Sequence, residues 1–144
     1  MMSLSSRQVA LLLVLALLGS KPWPCKGTTN SFLPKYHVHI VNNLSDNILY
    51  VHCKSKDDDL GSHALPVNSE FQFSFRINLL GTTLFWCNFN WGNGRGGSYK
   101  VFWYGTGLTR KCNYKNCIWS ARDDALYLLN LFENKDEKYY DWGH

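Results

Sequence analysis

Apolar and polar residues alternate along most of this chain. "YHVHIVNN" (36–43) sets Val38 and Ile40 on one face, and "NILYVHCKS" (47–55) sets Leu49, Val51 and Cys53 opposite Ile48, Tyr50 and His52. "FQFSFR" (71–76) is the clearest case, with three phenylalanines pointing one way and Gln72, Ser74 and Arg76 the other. "TTLFWCNFNW" (82–91) aligns Phe85, Cys87, Phe89 and Trp91; "SHAL" (62–65), "SYKVFWYG" (98–105), "CIWSAR" (117–122) and "ALYLLNLF" (125–132) complete the series. Neighbouring side chains on an extended chain point to opposite faces, so a period of two, rich in aromatic and β-branched residues, predicts half-buried strands. "ALYLLNLF" is apolar enough for a helix, but it is short and lies among strands, so it is read as one.

Turn residues punctuate these runs at Asn42-Asn43, Asp57 to Gly61, Pro66 to Ser69, Gly81 and "GNGRGG" (92–97). No helical pattern of ten or more residues interrupts them. The expected fold is all-β: an antiparallel β-sandwich of about eight strands, with a closed barrel as the neighbouring solution. The tail "ENKDEKYYDWGH" (133–144) is polar and reads as loosely held.

The N-terminus departs from this pattern. Arg7 precedes an apolar block from Val9 to Leu18, and Pro22 and Pro24 follow closely. A membrane-spanning helix needs about 20 apolar residues, roughly twice this block. The segment reads as a secretory signal peptide over residues 1–27, cut between 20 and 27, leaving residues 28–144 as one domain with no inserted membrane span. A cut after Gly27 fits the demand for small residues before the scissile bond better than one after Ser20. It also removes Cys25, leaving Cys53, Cys87, Cys112 and Cys117. An even count suits a secreted chain and allows two disulfides in three connectivities. Cys53–Cys87, inside two strands, with the short-loop Cys112–Cys117, is the preferred pairing.

The same cut changes the charge. Loss of Arg7, Lys21 and Lys26 lowers the formal value from +4 to +1. The basic residues are scattered, with no run of five, which leaves no footprint for nucleic acid. The 45% hydrophobic content supports one core in a chain too short for two.

Candidate chemistry is sparse. "KDDDLG" (56–61) offers Lys56, Asp57, Asp58 and Asp59, but consecutive aspartates diverge, whereas calcium loops of the EF-hand type space their ligands at alternate positions. A charged strand end turning at Gly61 is the plainer reading. His37 and His39 share a strand face, half of a metal site that needs three or four ligands, and surface polarity explains the pair as well. There is no G-x-S-x-G, and "CNYKNC" is not C-x-x-C. No catalytic residue, metal or cofactor is assigned, and no enzyme activity is expected. "NLS" (43–45) makes Asn43 an N-glycosylation acceptor at a turn. Trp86, Trp91, Trp103 and Trp119 could stack on sugars, although core or sheet-face roles suit such large side chains better. "WGNGRGGSYK" (91–100), carrying Asn93 and Arg95, is the first candidate for a recognition loop, since binding residues concentrate on loops of rigid scaffolds.

"VHIVNNLSDNILYVHCKSKDDDLGSHAL", "FQFSFRINLLGTTLFWCNFNW" and "CNYKNCIWSARDDALYLLN", in that order, resemble the plant self-incompatibility S1 family, also called S-protein homologues. "HCKSKDDDLG" and "FWCNFNW" are specific to it, and the resemblance covers roughly residues 37 to 130. Four cysteines from Cys53 onward match the family's four. Ala125 departs from it, standing where the family often has glycine. The resemblance implies a small secreted, disulfide-stapled plant β-sandwich without known catalytic residues. The family's best-known member is a stigma-side ligand of a pollen receptor. The implied function is an extracellular, monomeric signalling ligand for a cell-surface receptor protein, read through residues 55–61 and 92–98, with pollen rejection one form of that role. The alternative is a secreted carbohydrate-binding or defence protein.

Overall fold

The computed structural model describes residues 32–143. The leader at 1–27, its cleavage site and Cys25 lie outside the described residues. Among the described residues the chain forms β1 (Lys35–Asn42), β2 (Leu49–Lys54), β3 (Asp59–Leu65), β4 (Glu70–Arg76), β5 (Leu84–Trp91) and β6 (Arg95–Trp103). A short helix α1 (Thr106–Lys111) then leads to β7 (Asn116–Ala121), β8 (Ala125–Asn130) and β9 (Lys135–Asp141). A five-stranded sheet ordered β4-β1-β7-β8-β9 packs on a four-stranded sheet ordered β3-β2-β5-β6.

The inward faces are those the alternation predicts. Tyr36, Val38 and Ile40 of β1 and Leu49, Val51 and Cys53 of β2 are buried, as are Phe85, Cys87, Phe89 and Trp91 of β5. β7 and β8 are interior strands of the larger sheet and contribute Trp119, Leu126 and Leu128. Phe71, Phe73 and Phe75 are only half-buried because β4 is an edge strand. The edges are sealed by stacked rings, His63 on Phe71 at β3/β4 (3.8 Å between centroids) and Tyr99 on Tyr140 at β6/β9 (4.9 Å).

Cys53 and Cys87 are exact cross-strand partners of β2 and β5, face inward and are bonded. Cys112 and Cys117, also bonded, tie the end of α1 to β7. The connecting turn is tight, with Asn113 and Tyr114 at positive φ.

The nine strands among the described residues agree with the expectation of about eight. Three expectations need correction. One pairing, β1 with β7, is parallel, while the others are antiparallel. Asp59 to Gly61 belong to edge strand β3 rather than to a turn. Most consequentially, the tail is not loose: residues 135–141 form β9, and Trp142 is buried against Phe89, Trp91 and Tyr99. Its indole Nε1 donates to the Arg122 carbonyl (2.6 Å), and Gly143 N–H donates to the Gly96 carbonyl (2.9 Å). Polar residues dominate that tail because only one face of an edge strand meets the core.

Candidate recognition surface

The candidate residues fall at opposite ends of the sandwich. In the β2/β5 register, Lys54 faces Trp86 at one end and Tyr50 faces Asn90 at the other. Lys56, Asp57 and Asp58 follow the first rung, and Asn93 lies beyond the second. At about 3.3 Å per residue, the two loops are on the order of 15–20 Å apart and cannot form one cluster.

The first loop is a closed turn. Ser55 N–H donates to the Asp58 carbonyl (2.8 Å), and Asp58 N–H donates to Ser55 Oγ (3.0 Å). Asp59 is different from its neighbours. It accepts hydrogen bonds from His52 Nε2 (2.5 Å) and Gly61 N–H (3.0 Å) and lies 3.8 Å from Lys54 Nζ. The His52 hydrogen bond, helped by that of Gly61, holds its carboxyl below the usual range. Asp59 is therefore committed to its own sheet. Asp57 and Asp58 are exposed and form no ion pair among the described residues.

In the second loop, Gly92, Asn93 and Gly94 turn the chain between Trp91 and Arg95, which pair across the hairpin. The Arg95 guanidinium lies 4.7 Å from the Trp91 ring centroid, a cation–π contact that fixes an otherwise mobile side chain. The glycines here are partly dictated by packing: Gly96 sits at φ +142°, and a Cβ on it would collide with the Phe89 carbonyl. The Asn43 loop shares this end, with Gly92 against Asn47. Asn43 is exposed and donates from Nδ2 to Ser120 Oγ (2.5 Å), while the neighbouring Asn42, wholly buried, donates to the carbonyls of Asn47 and Leu65.

His37 and His39 go to separate partners. His39 is held between Glu70 (3.2 Å) and Asn116 (3.1 Å), and His37 lies 3.4 Å from Gln72. Slight desolvation and then the nearby Lys35 push the His37 pKa down. Trp91 and Trp119 are core residues, whereas Trp86 and Trp103 are only part-buried.

The loop 77–83 between β4 and β5 was not picked out by sequence. Leu79 and Leu80, 88% and 86% exposed, form its tip. Asn78 builds the turn: its carbonyl accepts from Gly81 N–H (3.2 Å), its Oδ1 from Thr82 N–H (2.8 Å), and its Nδ2 donates to Thr82 Oγ1 (2.8 Å). The signal was an apolar pair inside a run of turn residues, "NLLGTT". The base of this loop, at Asn78, Thr82 and Thr83, borders a cavity of about 620 Å³ together with Lys56, Asp57, Asp58, Arg76 and Trp86.

These features define a small disulfide-bonded β-sandwich whose distinctive residues lie on its end loops. Comparison with known proteins places it more closely. Residues 37–142 match the family model described as plant self-incompatibility protein S1. S-protein homolog 1 of Arabidopsis thaliana is 41% identical over 113 residues, which are 76% of this chain and 74% of the relative. S-protein homolog 74 of the same plant is 38% identical over 105 residues, 72% of this chain and 69% of the relative. A solved structure has a TM-score of 0.60 at 23% identity, covering 78% of this chain and 97% of its own. That protein is one of the self-incompatibility protein homologues, described as a widespread family of small, highly stable, secreted proteins from plants. The chain belongs to the plant self-incompatibility protein S1 family.

Proposed function

We propose that this protein, freed of its leader near Gly27, is an extracellular signalling ligand recognised by a cell-surface receptor protein, and that it works by shape rather than by catalysis. The observation that carries this reading is an exposed Leu79-Leu80 tip on the loop whose Asn78, Thr82 and Thr83 border the same cavity as the charged Lys56-Asp57-Asp58 turn. An apolar centre with a polar rim is the usual anatomy of a protein interface. Asn78 holds the leucines in a hydrogen-bonded turn, so little conformational freedom is lost on docking. A glycan on Asn43 would stand at the other end, beside Asn93 and Arg95, and leave this face open.

The test is binding of the labelled secreted protein to plant plasma-membrane vesicles, with and without prior protease treatment of the vesicles. The expected result is saturable binding that protease abolishes. Leu79→Ser with Leu80→Ser should weaken it by about tenfold or more, the loss expected when a central contact is removed. Asp58→Ala should weaken it less, and Arg95→Ala should leave it unchanged. Binding that survives protease, or that ignores both the leucine and the Asp58 substitutions, sinks the reading. Mass spectrometry of the secreted material tests the cut after Gly27 and the Asn43 glycan.

A further inference from the structure

A second cavity, of about 470 Å³, adjoins the first and shares Thr82, Thr83 and Leu84 with it. Its origin is visible in the strand register. At the β6 edge of the four-stranded sheet, Trp86 pairs with Lys100 and Leu84 with Trp103. A bulge at Val101 separates these rungs, turning Lys100 and Trp103 toward one hollow. Tyr139 and Tyr140 of β9 form the floor, and Tyr104, just beyond β6, forms the open wall. The Tyr104 ring rests on the backbone of Gly81, where a Cβ would come within 3.2 Å of its Cδ1. Gly81, at φ +65°, thus both closes the Asn78 turn and seats the ring.

The polar groups in this hollow are unspent. Lys100 is exposed and makes no ion pair among the described residues. Thr82 Oγ1 accepts from Asn78 Nδ2 and Thr83 Oγ1 from Asn78 N–H, so each hydroxyl keeps its proton to donate. Tyr140, by contrast, is used structurally: its hydroxyl donates to the Lys100 carbonyl (3.1 Å), and burial pushes its pKa up to about 12, so it adds no charge.

We propose that the two cavities form one groove for a linear acidic saccharide, with a uronate carboxylate at Lys100 and a pyranose ring stacked on Tyr104 and Trp103. Three observations select this class. A pyranose combines an apolar C–H face with a rim of hydroxyls, matching aromatic walls edged by hydroxyl donors. The lone uncompensated cation in the smaller cavity calls for an acid there. In the larger cavity Lys56 and Arg76 are balanced by Asp57 and Asp58, so the acidic unit belongs at the Lys100 end. Two hollows joined across Leu84 suit a chain of sugars better than a single ring. This goes beyond receptor recognition and can fail while that reading stands, because Lys100 and Tyr104 lie across Leu84 from the Lys56 turn.

The experiment is calorimetric titration of the whole secreted protein with a short oligogalacturonate, its methyl-esterified form, a neutral cello-oligosaccharide and a poly-glutamate peptide. Oligogalacturonate should bind saturably, and the other three should bind about tenfold or more weakly, as expected for loss of a charge-assisted hydrogen bond or of ring stacking. Lys100→Gln and Tyr104→Ala should each weaken oligogalacturonate by about tenfold without moving the melting temperature, since both side chains are exposed. Lys35→Gln, on another strand, should change nothing. The proposal is overturned if wild type shows no saturable binding, or if the neutral or esterified sugar or the peptide binds as tightly. It is equally overturned if Lys100→Gln and Tyr104→Ala both bind like wild type.

Discussion

The indole Nε1 of Trp119, on β7, donates to the carbonyl of Val101, on β6, across the two sheets (2.8 Å). Val101 is the extra residue of the β6 bulge, which releases its carbonyl from the ladder. Trp119 is completely buried and also packs edge-on against Tyr139. Trp119→Phe keeps an aromatic ring but orphans that carbonyl and leaves a void. It should lower stability by about 2–4 kcal/mol. A urea titration should show a lower midpoint with an unchanged slope.

Trp142 makes the C-terminus part of the core. Trp142→Ala removes contacts to Phe89, Trp91 and Tyr99 together with the hydrogen bond to the Arg122 carbonyl. The expected cost is about 3–5 kcal/mol. Limited proteolysis should then cut within residues 133–143, where wild type resists.

The two disulfides should differ in worth. Cys53–Cys87 closes a separation of 34 residues and Cys112–Cys117 one of five. Chain-entropy reasoning gives about 4 kcal/mol for the first and about 2 kcal/mol for the second. The double variant Cys53→Ala/Cys87→Ala should therefore unfold at clearly lower denaturant than Cys112→Ala/Cys117→Ala. Equal midpoints would show that native-state packing, not loop closure, dominates.

Stability should fall in acid partly through Glu137. Hydrogen bonds from Asn130 Nδ2 (2.9 Å) and Lys111 Nζ (2.7 Å) hold its carboxyl below the ordinary value of 4.5. A carboxylate lowered in the folded state contributes stability that is fully present above that ordinary value and is lost as pH falls through the lowered one. Melting temperatures measured from pH 7 downward should drop less steeply below pH 4.5 for Glu137→Gln than for wild type. Parallel curves would remove Glu137 from the acid response.

Inward faces were legible in the sequence because a strand's alternation reports which side is buried. Leu49, Val51 and Cys53 follow it, and so do Phe85, Cys87 and Phe89. Which strand lies beside which is not encoded in that period, so the parallel β1/β7 pair could not be read. The six residues of α1 are too few to display a helical repeat. β9 pairs with β8 just upstream but was missed because its run is polar, with half-buried rather than buried inward positions. Trp142 was missed because its ring partners Phe89, Trp91 and Tyr99 lie far upstream in the sequence. Of the proposed recognition surface, the charged turn stood out in sequence. The Leu79-Leu80 tip did not, since apolar residues are normally assigned to the core.

The parallel pairing of β1 with β7 carries a consequence for biogenesis. His39 finds Asn116, its hydrogen-bond partner, 77 residues further on. The first strand among the described residues is thus an interior strand of the larger sheet, and one of its two flanks stays open until the last third of the polypeptide has emerged. Pairing over such distances is slow, because loop closure must precede the contacts that reward it. The larger sheet therefore closes only when β7 to β9 arrive, so the order of synthesis makes its completion a late event.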